Sequence, residues 1–184
     1  MKSLIFFIFE ILSYNHKMLK SIFYIFFIPT ISIYGQEVLF NDFKYDMPIH
    51  DAKVILKNKP DWFKNLSLGK GTSYSLTKRS LVERDGKLVS INIWSKKHLD
   101  IKQAESYLKK SRTYLEAIGY NVVYAQENWS NPKLLKKNLP CIRFVDSEKQ
   151  NLIEIYPRGH GSIYNVFATF YNYNWFLKKA RGLE

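Results

Sequence analysis

The chain has a single cysteine, Cys141, so it can form no disulfide within itself, and an exported fold would owe its stability to packing. It also lacks the spacings that announce chemistry. There is no HExxH, CxxC or GxSxG, and His50, His98, His160 and Cys141 are not spaced in pairs as metal ligands are. No metal, no cofactor and no catalytic set is therefore expected. Gly69-Lys70-Gly71-Thr72 is like the end of a phosphate-binding loop, but a second glycine separates Lys70 from Thr72 and Lys64 stands where the first glycine belongs. Acidic residues are in short supply, 16 against 28 basic ones, for a net charge of +12. Low-complexity tracts are absent and aromatics make up 16% of the chain, a composition suited to a folded domain.

No apolar run reaches the ~20 residues of a spanning helix. The two candidates, Leu4–Leu12 and Ile22–Ile33, are broken by Glu10 and Pro29. From Met18 the order is a basic start at Lys20, an apolar stretch from Ile22 to Ile28 and a small residue at Gly35, which is the order of a secretory signal peptide. Residues 1–35 are accordingly expected to be a leader, with Met18 a candidate true start and Gln36 the first mature residue. The rival is an N-terminal membrane anchor, the leader left uncleaved. The leader carries only Lys2, Lys17 and Lys20 against Glu10, so the basic excess belongs to residues 36–184, expected to form one domain.

Local signals divide that domain into helices and strands. Val38–Phe43 reads as a short strand, followed by a helix through Ile49, Ala52, Ile55 and Leu56 with Asp46 as its cap and Pro48 in its first turn. Asp85-Gly86 between Thr72–Val82, broken near Lys78, and Leu88–Trp94 predicts a hairpin. Asp100 and Gln103 form a capping box for a second helix that Gly119 closes. Its apolar arc runs from Ile101 to Ile118, and the opposite face pairs Glu105 with Lys109 and Arg112 with Glu116. Val122–Gln126, Cys141–Val145, Leu152–Tyr156 and Ser162–Tyr171 read as strands, the last three as an antiparallel meander. The fold class that follows is α+β, a two-layer domain with a mostly antiparallel sheet and two helices packed on one face. Each half runs helix then strands, which suggests a duplication without any residue-level repeat.

Candidate binding residues fall in three places. Arg158-Gly159-His160-Gly161 combines two cationic candidates, Arg158 and His160, with glycines that would free backbone N–H groups for an anion, although a plain hairpin turn accounts for the same residues. Tyr171, Tyr173 and Trp175 alternate with Asn172 and Asn174, so a strand continuing to Trp175 would present Tyr173 and Trp175 as a stacking surface; core packing is the competing assignment. Trp62, Phe63 and Trp129 would extend that surface. Lys136 and Lys137 are one of several lysine pairs that give the chain its positive charge. Cys141 alternates with apolar strand residues and reads as a packed, inert thiol.

These features favour an exported, non-enzymatic binding or envelope-associated domain. Its expected partners are an anionic glycan, lipid or protein surface; no specific nucleic-acid motif is present. An exported hydrolase assembled only by the fold from His160, His50, Asp46, Asp51 and Cys141 is the first alternative, and an inhibitor or immunity protein the second. No motif assigns the chain to a family.

Overall fold

The computed structural model describes residues 37–128, 131, 133, 137 and 141–183, with Asp61, Trp62 and His160 described by backbone alone. The leader, Trp129 and Lys136 lie outside the described residues. In chain order the elements are β1 (Val38–Phe40), β2 (Phe43–Lys44), α1 (Ile49–Asn58), α2 (Pro60–Lys64) and β3 (Tyr74–Ser75). A 3-10 turn at Lys78–Ser80 leads into β4 (Leu81–Arg84) and β5 (Lys87–Ser95). Then follow α3 (Ile101–Ala117), β6 (Asn121–Gln126), β7 (Cys141–Val145), β8 (Asn151–His160), β9 (Ile163–Asn172) and α4 (Tyr173–Ala180). The protein is thus α+β with a wholly antiparallel main sheet, ordered β3-β5-β9-β8-β7-β6 with β4 also paired to β5.

The strongest local signals form as the sequence dictates. Asp100 accepts the Gln103 backbone N–H at 2.8 Å while the Gln103 side chain accepts the Asp100 N–H at 3.0 Å, so two orphan donors at the start of α3 are satisfied reciprocally. Gly119, with φ of 97°, takes the chain out of the helix. At the β4–β5 turn both Asp85 and Gly86 have positive φ, 51° and 77°, the twist that joins two right-twisted strands. The β7–β8–β9 meander is present, and β9 closes the sheet by pairing with β5 from Ser90↔Tyr171 to Trp94↔Phe167.

Alternation sorts each central strand into two faces. One carries Ile91 and Ile93 of β5, Phe144 of β7, Ile153 and Ile155 of β8, and Val166, Ala168 and Phe170 of β9, all buried in the main core. Helix α1 covers that face with Ala52, α2 with Phe63 and α3 with Ala104, Leu108 and Leu115. Tyr74 is fully buried there, its hydroxyl 2.9 Å from the Ser111 hydroxyl of α3. Burial pushes the Tyr74 phenol up, beyond the usual tyrosine range.

Several expectations are corrected. Val38–Phe43 is two strands, broken by Asn41 at φ of 52°. Asp46 does not cap α1; Pro48 occupies the cap with no side-chain bond, and Asp46 instead pairs with Lys87 Nζ at 2.7 Å, tying this segment to β5. Pro60, a residue that commonly marks a loop, instead opens helix α2, for which a proline at the first position is suited. Residues 173–175 do not extend β9. Asn172 Oδ1 accepts the Trp175 N–H at 2.8 Å and starts α4, so α2 and α4 join the two helices expected. Helix α4 lies on the face opposite α1–α3, where Trp175 stacks on Tyr171 at 5.9 Å between ring centres.

Candidate functional site

The sheet face opposite the main core is unlike its partner in composition. Its end under α4 is a small second core of Val89, Val145, Leu152 and Trp175, all buried yet separate from the main cluster. Toward the β8–β9 turn the same face carries large aromatics beside polar groups. Cross-strand pairing sets Trp94 of β5 against Phe167 of β9, and Phe167 against Tyr156 of β8. Their ring centres are 6.5 and 5.7 Å apart, the second pair inclined by only 7°. The Arg158 guanidinium lies 5.0 Å from the Tyr156 ring centre and 5.8 Å from that of Phe167, and its side chain is exposed. A row of three rings ending in a cation therefore crosses three adjacent strands.

Polar groups hold this row in place. The Tyr156 hydroxyl is 3.2 Å from Thr169 Oγ1, and Thr169 Oγ1 donates to Asn92 Oδ1 at 3.1 Å. One strand further out, Arg143 Nε donates to Glu154 Oε2 at 2.6 Å while its guanidinium sits 5.0 Å from the Tyr124 ring centre and 5.4 Å from that of Phe176. Burial works against the Arg143 charge, but the hydrogen bond and the negative charge of Glu154 outweigh it and push its pKa up. The Tyr171 phenol is pushed up to about 12, chiefly by burial, with Glu154 adding to the shift.

The structure distributes the sequence candidates unevenly. Arg158 belongs to this row. His160 ends the same strand, its side chain outside the described residues. The anion-binding loop expected at Arg158–Gly161 is instead strand and turn. Arg158, Gly159 and His160 pair with Asn165, Tyr164 and Ile163, so their backbone is committed to the ladder. Gly159 is required for another reason: a Cβ there would run into the Tyr164 ring and the Ile163 carbonyl. Trp175 is 5% exposed, with Lys179 Nζ 4.9 Å over its ring, and belongs to the second core; Tyr173 is half-buried at the start of α4. Lys137 is exposed.

The candidates for bond chemistry are spread over both sides of the sheet. Asp46 is held by Lys87, and His50 and Asp51 are on α1, which packs on the main core. Cys141 shares the opposite face with Arg143 and is half-buried, so it does not sit in the main core as its alternation had suggested. Burial, reinforced by Glu154, pushes its thiol up against the opposing pull of Arg143, which leaves less thiolate at neutral pH. No group of three or more His, Cys, Asp or Glu side chains that could hold a metal occurs among the described residues. Among them, too, no helix is long and apolar enough to cross a membrane.

Trp94, Tyr156, Phe167 and Arg143 were not singled out by sequence. The signal was present in the alternation: in β5, β8 and β9 the non-aliphatic positions are aromatic as well as polar. The end of the α3 arc also departs from expectation, since Tyr114 and Ile118 are exposed and line a cleft of about 680 Å3 with β1. No known protein family, curated protein or solved structure matches the chain.

Proposed function

We propose that the domain is exported behind a leader ending at Gly35 and works as a non-enzymatic, envelope-associated binding module for an acidic glycan. The observation that carries this reading is the row Trp94, Phe167, Tyr156 and Arg158 across three strands of the face that α1–α3 do not cover. Trp94 and Phe167, both half-buried, offer flat apolar surface to a sugar ring, while Tyr156, only 8% exposed, packs against Phe167 and supports it. The terminal guanidinium supplies two parallel donors for a carboxylate. The basic excess of residues 36–184, 25 basic against 15 acidic residues, would attract a polyanion over a longer range and make association salt-dependent.

The test is retention of the full chain on an immobilised polyuronate compared with a neutral polysaccharide. Preferential retention that falls about tenfold in Arg158→Gln and in Phe167→Ala supports the reading. Equal retention on both matrices, or retention unaffected by either substitution, contradicts it. Leader processing has its own test, intact mass of exported protein, with a chain beginning at Gln36 expected and one still carrying Ile22–Ile33 contradicting it.

A further inference from the structure

Beside the aromatic row, on the face left open by α1–α3, runs a polar one. Arg158 of β8 pairs directly with Asn165 of β9, and paired residues share a face. Both stand two residues, about 7 Å, beyond Tyr156 and Phe167 on their strands. Past the end of β5 the chain continues alongside β9, where Leu99 exchanges both backbone hydrogen bonds with Tyr164 and is buried in the main core. His98, one residue earlier, is therefore turned to the open face. Its Nδ1 lies 3.1 Å from Asn165 Oδ1. His98, Asn165 and Arg158 thus cross the sheet in parallel with Trp94, Phe167 and Tyr156.

The bonds around Asn165 fix which nitrogen of His98 is free. Asn165 Nδ2 donates to the Ser95 carbonyl at 3.1 Å and to the Lys97 carbonyl at 3.4 Å, atoms that can only accept. Asn165 Oδ1 is therefore the atom turned to His98. It too can only accept, so Nδ1 carries the hydrogen of the neutral ring. Nε2 is left to take up a proton, on a side chain that is exposed. Neither His98 nor Arg158 forms an ion pair among the described residues. The other titratable groups around His98 are Lys96 and Lys97, which precede it in the chain, Asp100, whose carboxylate accepts the Gln103 N–H, and the Tyr164 phenol, which donates to the Gly161 carbonyl at 3.2 Å. His160 ends β8 and is described by its backbone alone.

We propose that His98 is a second anion contact of this face: Arg158 holds one carboxylate of the acidic glycan, and protonated His98 holds another through Nε2. The contact presupposes the glycan reading and adds to it a spacing of charges and their control by pH. His98 and Arg158 flank β9, two strand spacings or about 10 Å apart at the backbone, on the order of the separation between carboxylates on alternate residues of an extended uronate chain. Asn165, whose amide is fully engaged, positions the imidazole and does not touch the ligand. Imidazole ordinarily changes charge between about pH 5 and about pH 8, whereas a guanidinium stays charged, so the His98 contact is lost as pH rises while that of Arg158 persists.

The experiment is a calorimetric titration of the full chain with an oligogalacturonate at about pH 5.5 and about pH 8, where its carboxylates stay ionised. The same oligomer reduced to its neutral alcohol is a second arm. The parent chain should bind the acidic oligomer about fivefold more tightly at the lower pH, and His98→Gln about equally at both. Arg158→Gln should weaken binding at both pH values and keep the ratio between them. Nitrogen NMR of the unliganded chain should place the hydrogen of neutral His98 on Nδ1. A pH response that survives in His98→Gln, that disappears in His160→Gln, or that the neutral oligomer shares overturns the proposal, as does equal affinity of the parent at the two pH values. So does a hydrogen on Nε2, whether or not any glycan binds. Weakened binding in Arg158→Gln beside an unaltered His98→Gln removes the His98 contact alone. Absent binding, or binding indifferent to both Arg158→Gln and Phe167→Ala, removes the glycan reading and the His98 contact with it.

Discussion

The two faces of the sheet are built from the same strands, with residues taken in turn, and they differ in what those residues are. The face under α1–α3 is aliphatic with a few buried rings such as Phe144, and its polar members are paired inward, as Tyr74 is with Ser111. On the other face, the end beyond α4 holds Trp94, Phe167 and Tyr156 beside Thr169, Asn92 and Arg158. The Arg158 guanidinium stabilises the rings it covers and also leaves an exposed charge at the end of the row, where a ligand could meet it. The comparison teaches that aromatic content alone does not mark a site. Rings on one face serve packing, and on the other Trp175 and Tyr156 are buried too while Trp94 and Phe167 stay half-buried beside Arg158.

The largest expected effect comes from breaking the covered face. Phe144 is fully buried, so Phe144→Ala should cost about 3–5 kcal/mol, read as a fall in denaturation midpoint, with no separate effect on ligand contact. Trp175→Ala should cost a comparable amount, about 3 kcal/mol, because that ring fills the second core under α4. A Trp175→Ala protein of unchanged stability that lost glycan retention would restore the stacking role first assigned to that residue.

Smaller effects sharpen the boundary between the two faces. Gly159→Ala should cost about 1–3 kcal/mol, since the new methyl meets the Tyr164 ring and the Ile163 carbonyl, and the loss should appear in the thermal midpoint. Alkaline pH probes the part of the open face nearest α4. Folding raises the Tyr171 phenol from the ordinary 10 to about 12, so the stabilisation is fully present below pH 10. As pH rises above 10 the unfolded phenol ionises first, and stability should fall by on the order of 2 kcal/mol until the folded phenol titrates. Urea midpoints measured between about pH 9 and about pH 12 in the parent and in Tyr171→Phe would separate it from Tyr74 and Tyr120, whose phenols are raised as well; a pH dependence unchanged by the substitution would place Tyr171 in water. The smallest effect is expected from Cys141→Ser, under about 1 kcal/mol at a half-buried position, with slow labelling of the native thiol.

Much of the secondary structure was legible because its signals are local. The Asp100–Gln103 capping box and the Asp85-Gly86 turn each act within four residues, and their geometry does not depend on the rest of the chain. Helix α4 was not legible in this way. Tyr171 to Trp175 alternates over five residues, too few to separate a strand from a helix, and the deciding bond from Trp175 N–H to Asn172 is an N-cap that a lone asparagine within an alternating run does not announce. The sheet face escaped for a different reason. Its row depends on β5 pairing with β9 across more than seventy residues, and no local signal sets that register.

The central claim is that Phe167 serves contact where Phe144 serves stability, and it is tested most directly by measuring both properties in both alanine variants of the full chain. The account predicts that Phe144→Ala lowers the denaturation midpoint steeply. It predicts that Phe167→Ala, which gives up two ring contacts at a half-buried position, costs about 1–2 kcal/mol, clearly less than Phe144→Ala, while its affinity for the polyuronate falls about tenfold. A Phe167→Ala protein destabilised as much as Phe144→Ala, or one of parental stability and undiminished affinity, would contradict it.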